Sequence, residues 1–534
     1  MSTNPPLIRR IKPLKRIYAG HLFSKSKKCK LSKGRRDLFV HASLFKEKYL
    51  CPKNLHSLSL SAPGTPLIVQ KLKSQSNIRS LFLEMSMQQA HHLNILLKLL
   101  RVLKKLRMIQ LHAYGFNIST EANCLWYERL FKLCRRQDFI IHPLGFTREI
   151  MKKPRLPKFI RQISSLKQIM LNVQIEIEEE DDASLSNFTS LCKALATCHL
   201  DLQLTCFSDN INLFVPQILF CLLHIKNLKG LTFWDRLKNP RPNIGHIQIQ
   251  ENHFPKDIDF FRLFSPHKNL RKFAFSASFN ALIARFFPFE ELQELRNFGI
   301  DPGFTSQPND NDFEILMPRV KVCRNLKVLN FRLQDFPLLT DISVKSLCNE
   351  LLKSLPDLEI LNLMLGFAPH PSHLAALRPQ TCQYTPLAVS HLAESLPNLR
   401  KIKRLCLGFQ IKELPDGEFN NLFNAISNLK TLEVLEISVF SGSITDAISS
   451  SIKSCLQKLL CLTNFALALR NCDKLTNLFL KSLSSAFKNR KVSKFLRMVQ
   501  MNFEHSSISR ESMDECASFI KSQLPSCYVY IVRR

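Results

Sequence analysis

The stretch Asn325-Leu326-Lys327-Val328-Leu329-Asn330-Phe331, echoed by Leu358-Glu359-Ile360-Leu361-Asn362-Leu363, decides how this chain is read. In each, an apolar residue is followed by two variable positions, a second apolar residue, one variable position and a third apolar residue. The second and third apolar residues flank a single other position, so both point to one face of a short strand.

The pattern recurs in both directions. Leu55, Ile78, Leu106, Leu166, Leu228, Leu270, Ile402, Leu432, Leu462 and Leu496 open further copies, and a weaker one reads Leu292-Leu295-Phe298. From Leu326 onward the clear anchors are 32, 44, 30, 30 and 34 residues apart. The long gap between Leu106 and Leu166 predicts a degenerate strand near Phe139 to His142, and a last strand is expected at Tyr528 to Ile531. Between strands the apolar spacing turns helical at 341–355, 386–396, 417–427, 445–459, 475–488 and 510–523. Ser443 and Thr445 supply start signals for one of these helices, and Pro356, Pro397 and Pro525 follow three of them. One strand and one helix in about 30 residues cannot bury their own apolar faces, but stacked neighbours bury each other's in a continuous core. Repeats thus account for 534 residues without several separate domains.

These segments resemble leucine-rich repeats, and the helix-rich period resembles the ribonuclease-inhibitor-like subclass. The resemblance covers roughly residues 50–534, about 14–15 irregular repeats behind a basic arm at 1–49. It implies an α/β solenoid, a horseshoe or arc, with parallel strands on the concave side, helices on the convex side and protein binding as its usual role. The family's asparagine or cysteine ladder is missing. Ser86, Tyr114, Gln174, Arg236, Gln334, Gly366, Gln410, Phe440 and Arg470 occupy those positions, which predicts irregular loops.

Composition bounds the remaining classes. At 45% hydrophobic the chain can bury a core. Thirteen glycines are too few for a fold built on glycine-rich phosphate loops, and the 40 phenylalanines are abundant. The 17 cysteines are scattered singly without a Cys-x-x-Cys pair, the usage expected in a reducing compartment. No run reaches the ~20 apolar residues of a membrane span, and the N-terminus lacks the apolar core of a secretory signal. The expected setting is intracellular, cytoplasmic or nuclear, with mitochondrial targeting left open by the N-terminal arm.

That arm holds much of the +32 net charge. The first 36 residues carry twelve cations and no acid, with Lys25, Lys27, Lys28, Lys30, Lys33, Arg35 and Arg36 as the densest cluster. A solvated tail, a nuclear-localisation or nucleic-acid patch, and a basic presequence all fit this composition.

No phosphate loop, zinc-binding His pair or nucleophile elbow is present, so no catalytic, cofactor or metal residues are assigned. The position after the first apolar anchor is repeatedly cationic: Arg79, Arg107, Lys167, Lys229, Arg271, Lys327, Lys403 and Arg497, with Glu359 and Glu433 as exceptions. Stacked repeats would align these residues at about 4.8 Å per strand. Two readings stay open: cations complementing helix C-termini, or an edge that meets an acidic partner. The outward strand positions are mostly neutral, which suits a protein ligand better than a nucleic-acid groove. The expectation is a non-enzymatic scaffold binding a protein partner on its strand face, helped by the basic arm. The alternative is a nucleic-acid or ribonucleoprotein-associated protein using the arm and the basic edge.

Overall fold

In a computed structural model of the chain, residues 309–333, 338–366, 383–411, 413–488 and 495–532 are described, with shorter segments between 37 and 301. The chain divides into two compact units, Met1–Ile175 with Thr197–Leu200, and Glu176–Ala196 with Asp201–Arg534.

The first unit carries β1 (Asp37–His41), β2 (Ser57–Ser61), β3 (Ser80–Ser86), β4 (Met108–Tyr114), β5 (Asn117–Ile118), β6 (Asp138–Phe146) and β7 (Ile169–Glu178). Their pairings are parallel, and one register row runs Leu38, Leu58, Leu81, Ile109, Phe139, Ile169. These are the second apolar positions of the motif, extended by β1 at one end and by the degenerate strand at Phe139. Paired strands therefore begin at Asp37, inside the segment read as an arm. The β6–β7 register shifts between Ile141 and Leu144, as an irregular repeat requires.

The second unit contains α1 (Asp182–Ala194) and β8 (His199–Phe207), whose Leu202 and Leu204 are fully buried. Ten further strands then follow in parallel register: β9 (Leu228–Arg236), β10 (Lys272–Ser276), β11 (Asn297–Asp301), β12 (Val328–Leu333), β13 (Ile360–Leu365), β14 (Arg404–Gln410), β15 (Val434–Phe440), β16 (Asn464–Arg470), β17 (Met498–Asn502) and β18 (Tyr528–Val532). Interleaved with them are α2 (Asp310–Val320), α3 (Asp341–Ser346), α4 (Pro386–Ser395), α5 (Asp416–Ile426), α6 (Ser449–Lys458), α7 (Asn477–Ser484) and α8 (Arg510–Gln523). The molecule is thus an α/β array with a large parallel sheet, in a solenoid-like arrangement.

The motif's second position forms one continuous buried row: Leu231, Phe273, Phe298, Leu329, Leu361, Leu405, Leu435, Phe465, Val499 and Val529. This row also settles the weak copy. Phe298 pairs with Phe273 and Leu329, so the motif there is Leu295-Phe298-Ile300, not Leu292-Leu295-Phe298. Between β10 and β11 the described residues include a 3₁₀ turn, Phe289–Glu291. Aromatic rings pack around this turn: Phe287 stacks on Phe273 at 4.1 Å, and Phe298 lies 5.5 Å from Phe289 and 5.8 Å from Phe331.

The missing ladder at the strand exits has a counterpart at the helix starts. The N-cap Thr340 of α3 donates its N–H to Asp310 Oδ1 of α2 at 2.9 Å and its hydroxyl to the other oxygen. Thr385 does the same to Asp341, Thr445 to Asp416 and Thr476 to Asp446. Each threonine oxygen also accepts the N–H two residues on, at 3.2 Å. One side chain caps its own helix while the preceding repeat's first helical residue holds it in place. The series breaks where Pro386 replaces the acid and ends on Asn477, which accepts from Ser509 N–H at 2.8 Å. The oxygen-rich Asp310-Asn311-Asp312 belongs to this scheme: Asp312 completes a capping box with Asn309.

Candidate interaction surface

Two surfaces of the second unit emerge from its register. The first is the outward face of the strands, where residues alternate with the buried ones along β12, β13, β15 and β16. One row reads Lys272, Asn297, Val328, Ile360, Arg404, Val434, Asn464, Met498 and Tyr528. The next reads Ala274, Gly299, Asn330, Asn362, Cys406, Glu436, Ala466, Gln500 and Tyr530.

Charge on this face is paired across strands. Arg404 reaches Glu436 at 2.9 Å, and its Nε donates to Cys406 Sγ at 3.3 Å. Lys272 lies 3.6 Å from Asp201, whose carboxylate occupies the volume a side chain at Gly230 would need. Met364 likewise lies where a Cβ at Gly408 would fall. Asn362 donates to Asn330 across β12 and β13. A further row reads Arg332, Met364, Gly408, Ser438 and Ala468, with exposed Arg332 at one end and the small residues Gly408, Ser438 and Ala468 side by side.

The second surface is the column of residues at the strand entrances. The backbone links them directly. Arg271 N–H donates to Lys229 O, Arg296 to Arg271, Lys327 to Arg296, Glu359 to Lys327, Lys403 to Glu359, Glu433 to Lys403, Thr463 to Glu433 and Arg497 to Thr463, at 2.7–2.9 Å. Lys229, Arg271, Lys327, Lys403 and Arg497 thus fall in one column. Arg296 joins them; the motif frame Leu292-Leu295-Phe298 conceals its position in the sequence. In the first unit Arg107 N–H donates to Arg79 O at 2.8 Å, and both side chains are exposed. Lys167 and the arm residues Lys25, Lys27, Lys28, Lys30, Lys33, Arg35 and Arg36 lie outside the described residues.

The column is not uniform in charge. Glu359 sits between Lys327 at 3.6 Å and Lys403 at 2.7 Å. The hydrogen bond from Lys403 holds the Glu359 carboxyl below its usual range, and the same bond raises Lys403. From Glu359 onward the column mixes signs: Glu359, Lys403, Glu433, neutral Thr463 and Arg497. Before it, Lys229, Arg271, Arg296 and Lys327 are four cations in succession. Glu294 Oε2 lies 3.9 Å from Arg271 and 3.8 Å from Arg296, a single carboxylate shared by two guanidiniums. Burial lowers the pKa of Lys229, and neighbouring Arg271 adds to the effect.

Lys327 does not complement a helix end. The last turns of α2, α3, α6, α7 and α8 carry Arg319, Lys345, Lys458, Lys481 and Lys521 instead. Lys327 is separated from Val320, the last residue of α2, by the turn 321–326, beyond the one-turn range of the dipole.

The ten described cysteines are free thiols, and all but Cys461 are buried. Burial pushes Cys323, Cys348, Cys455, Cys472 and Cys516 up to about 12, far from a reactive thiolate. Among the described residues no group of three or more His, Cys, Asp or Glu is placed to hold a metal ion. No described helix is long and apolar enough to cross a membrane.

No family model matches the chain, and no curated protein matches it. Among solved structures, it is similar to a Bacteroides fragilis protein determined as a structural-genomics target. That match has 15% identity and a TM-score of 0.22, covering 72% of this chain and 68% of the other.

Proposed function

We propose that this chain is a non-enzymatic scaffold, a leucine-rich-repeat-like solenoid of the ribonuclease-inhibitor-like kind, that binds a protein partner on the outward strand face of its second unit. The observation that carries this reading is the face itself: ten registered strands presenting mostly neutral or internally paired side chains in straight rows. Strands about 4.8 Å apart backed by helices that pack at 8–10 Å favour an array bent toward its strand side, which would cup a partner. A standard interface of about 800 Å² per partner needs such an extended surface. The free thiols at the described cysteines support an intracellular setting, cytoplasmic or nuclear.

The test is affinity purification of the full chain beside two variants. Ser438→Arg with Ala468→Arg raises two charged side chains on the face, while Lys481→Glu changes the exposed helix side. The expected outcome is a partner retained by the wild type and by Lys481→Glu but lost from the double variant. A partner set unchanged by the double variant removes the strand face from the binding reading.

A further inference from the structure

We infer that the column segment carrying Lys229, Arg271, Arg296 and Lys327 is a docking surface for an acidic helical segment of a polypeptide partner. The inference deepens the scaffold reading and rests on it for the partner being a protein, but it concerns a different surface.

Three observations carry it. The four residues occupy successive column positions joined by direct backbone hydrogen bonds, so their spacing is fixed by the sheet at about 4.8 Å, and they span about 14 Å. Glu294 shows that a carboxylate can engage two neighbours of the column at once, through one oxygen 3.9 Å from Arg271 and 3.8 Å from Arg296. An incoming acid would do the same in trans, with guanidinium geometry suited to carboxylates. The charge excess also has a boundary. From Glu359 the column is of mixed sign, and Lys403 is held by a 2.7 Å ion pair. Four cations against the two carboxylates of Glu294 and Glu359 leave a short segment of net positive charge and definite length.

Geometry selects the partner's chemistry. An α-helix advances 5.4 Å per turn, so acids at i, i+4, i+7 and i+11 present about one carboxylate per turn, close to the strand spacing. An extended strand would space same-side acids at about 6.6 Å and fall out of step. Single-stranded nucleic acid is held by basic grooves interleaved with aromatic side chains. The outward strand residues beside these cations are Lys272, Asn297 and Val328, without a ring.

Carbodiimide coupling tests this on the full chain. The probe is a synthetic Ala-rich helical peptide with one stripe of glutamates at the spacing above. The same peptide with glutamines serves as control, and an oligothymidylate of equal charge as competitor. Peptide adducts located by mass spectrometry are expected at Lys229 and Lys327. They should fall at least about fivefold in Arg271→Glu/Arg296→Glu and in the milder Arg271→Gln/Arg296→Gln, and persist in Arg497→Glu. Adducts confined to the arm lysines, or equally heavy at Lys401 and Lys403, overturn the inference. So does an oligothymidylate that displaces the peptide from Lys229 and Lys327, which would make the segment a phosphate contact. Strand-face variants should leave this labelling unchanged, so failure here is separable from failure of the scaffold reading.

Discussion

Thr445 is legible in the sequence as a helix start, because a threonine before an apolar-periodic run is a good N-cap. Its second role is not. Its N–H meets Asp416 Oδ1 at 2.9 Å, and its hydroxyl meets the other oxygen of a residue one repeat earlier. Nothing local marks that partner, since both residues also satisfy ordinary rules for the first turn of a helix. The neighbouring pair gives the cleanest measurement. Asp446 accepts both the N–H and the hydroxyl of Thr476, and removing its carboxylate leaves that N-cap threonine without its support. Asp446→Ala should destabilise the second unit by about 1–2 kcal/mol. Asp446→Asn should lose less, because one acceptor oxygen remains for the N–H. Urea midpoints of the three proteins check the order, and equal midpoints for Asp446→Ala and wild type would reduce the ladder to geometry without energetic weight.

At the scale of the element, strands were easier to place than helices. The strand motif carries its three apolar positions within six residues, so it survives irregular loops, and every clear anchor after Leu228 falls on the buried side. The exception is instructive. Leu292, Leu295, Phe298 and Ile300 are all buried, so two frames of the motif fit the same sequence. The choice between them is made by pairing with Phe273 and Leu329, which no single segment contains. Choosing the earlier frame also hid Arg296. The same repeat packs its core with phenylalanines. Phe298 touches the rings of Phe273, Phe275, Phe289 and Phe331 at 5.5–6.3 Å. Phe298→Ala should therefore cost about 3–5 kcal/mol, at the upper end for large-to-small core changes. Calorimetry or denaturant unfolding measures it. A loss under about 1 kcal/mol would mean that the aromatic cluster collapses into the vacated space.

For the molecule as a whole, net charge was the most visible number and the least specific. Of the +32, the arm's share lies outside the described residues, and in the second unit the column concentrates unbalanced cations before Glu359 and balances them after it. Composition counts charges, while register decides which of them meet, and only the latter distinguishes Lys229 from Lys403. The cysteines allow a similar question about stability. Cys323, Cys348, Cys455 and Cys516 lie in successive parts of the array, each a buried thiol pushed up to about 12. Each becomes reactive only when its own repeat opens. A stack in which every repeat leans mainly on its neighbours opens locally, and repeats near an end open most often. Pulsed alkylation at pH 8 in the absence of denaturant should label exposed Cys461 at once, then Cys516 beneath the last strand, and Cys348 and Cys455 slowest. Adding moderate urea should widen the gap between Cys516 and Cys455 before closing it at the global midpoint. If all the buried thiols label at one rate under every condition, the second unit unfolds as a single cooperative body, and the nearest-neighbour account of its stability fails.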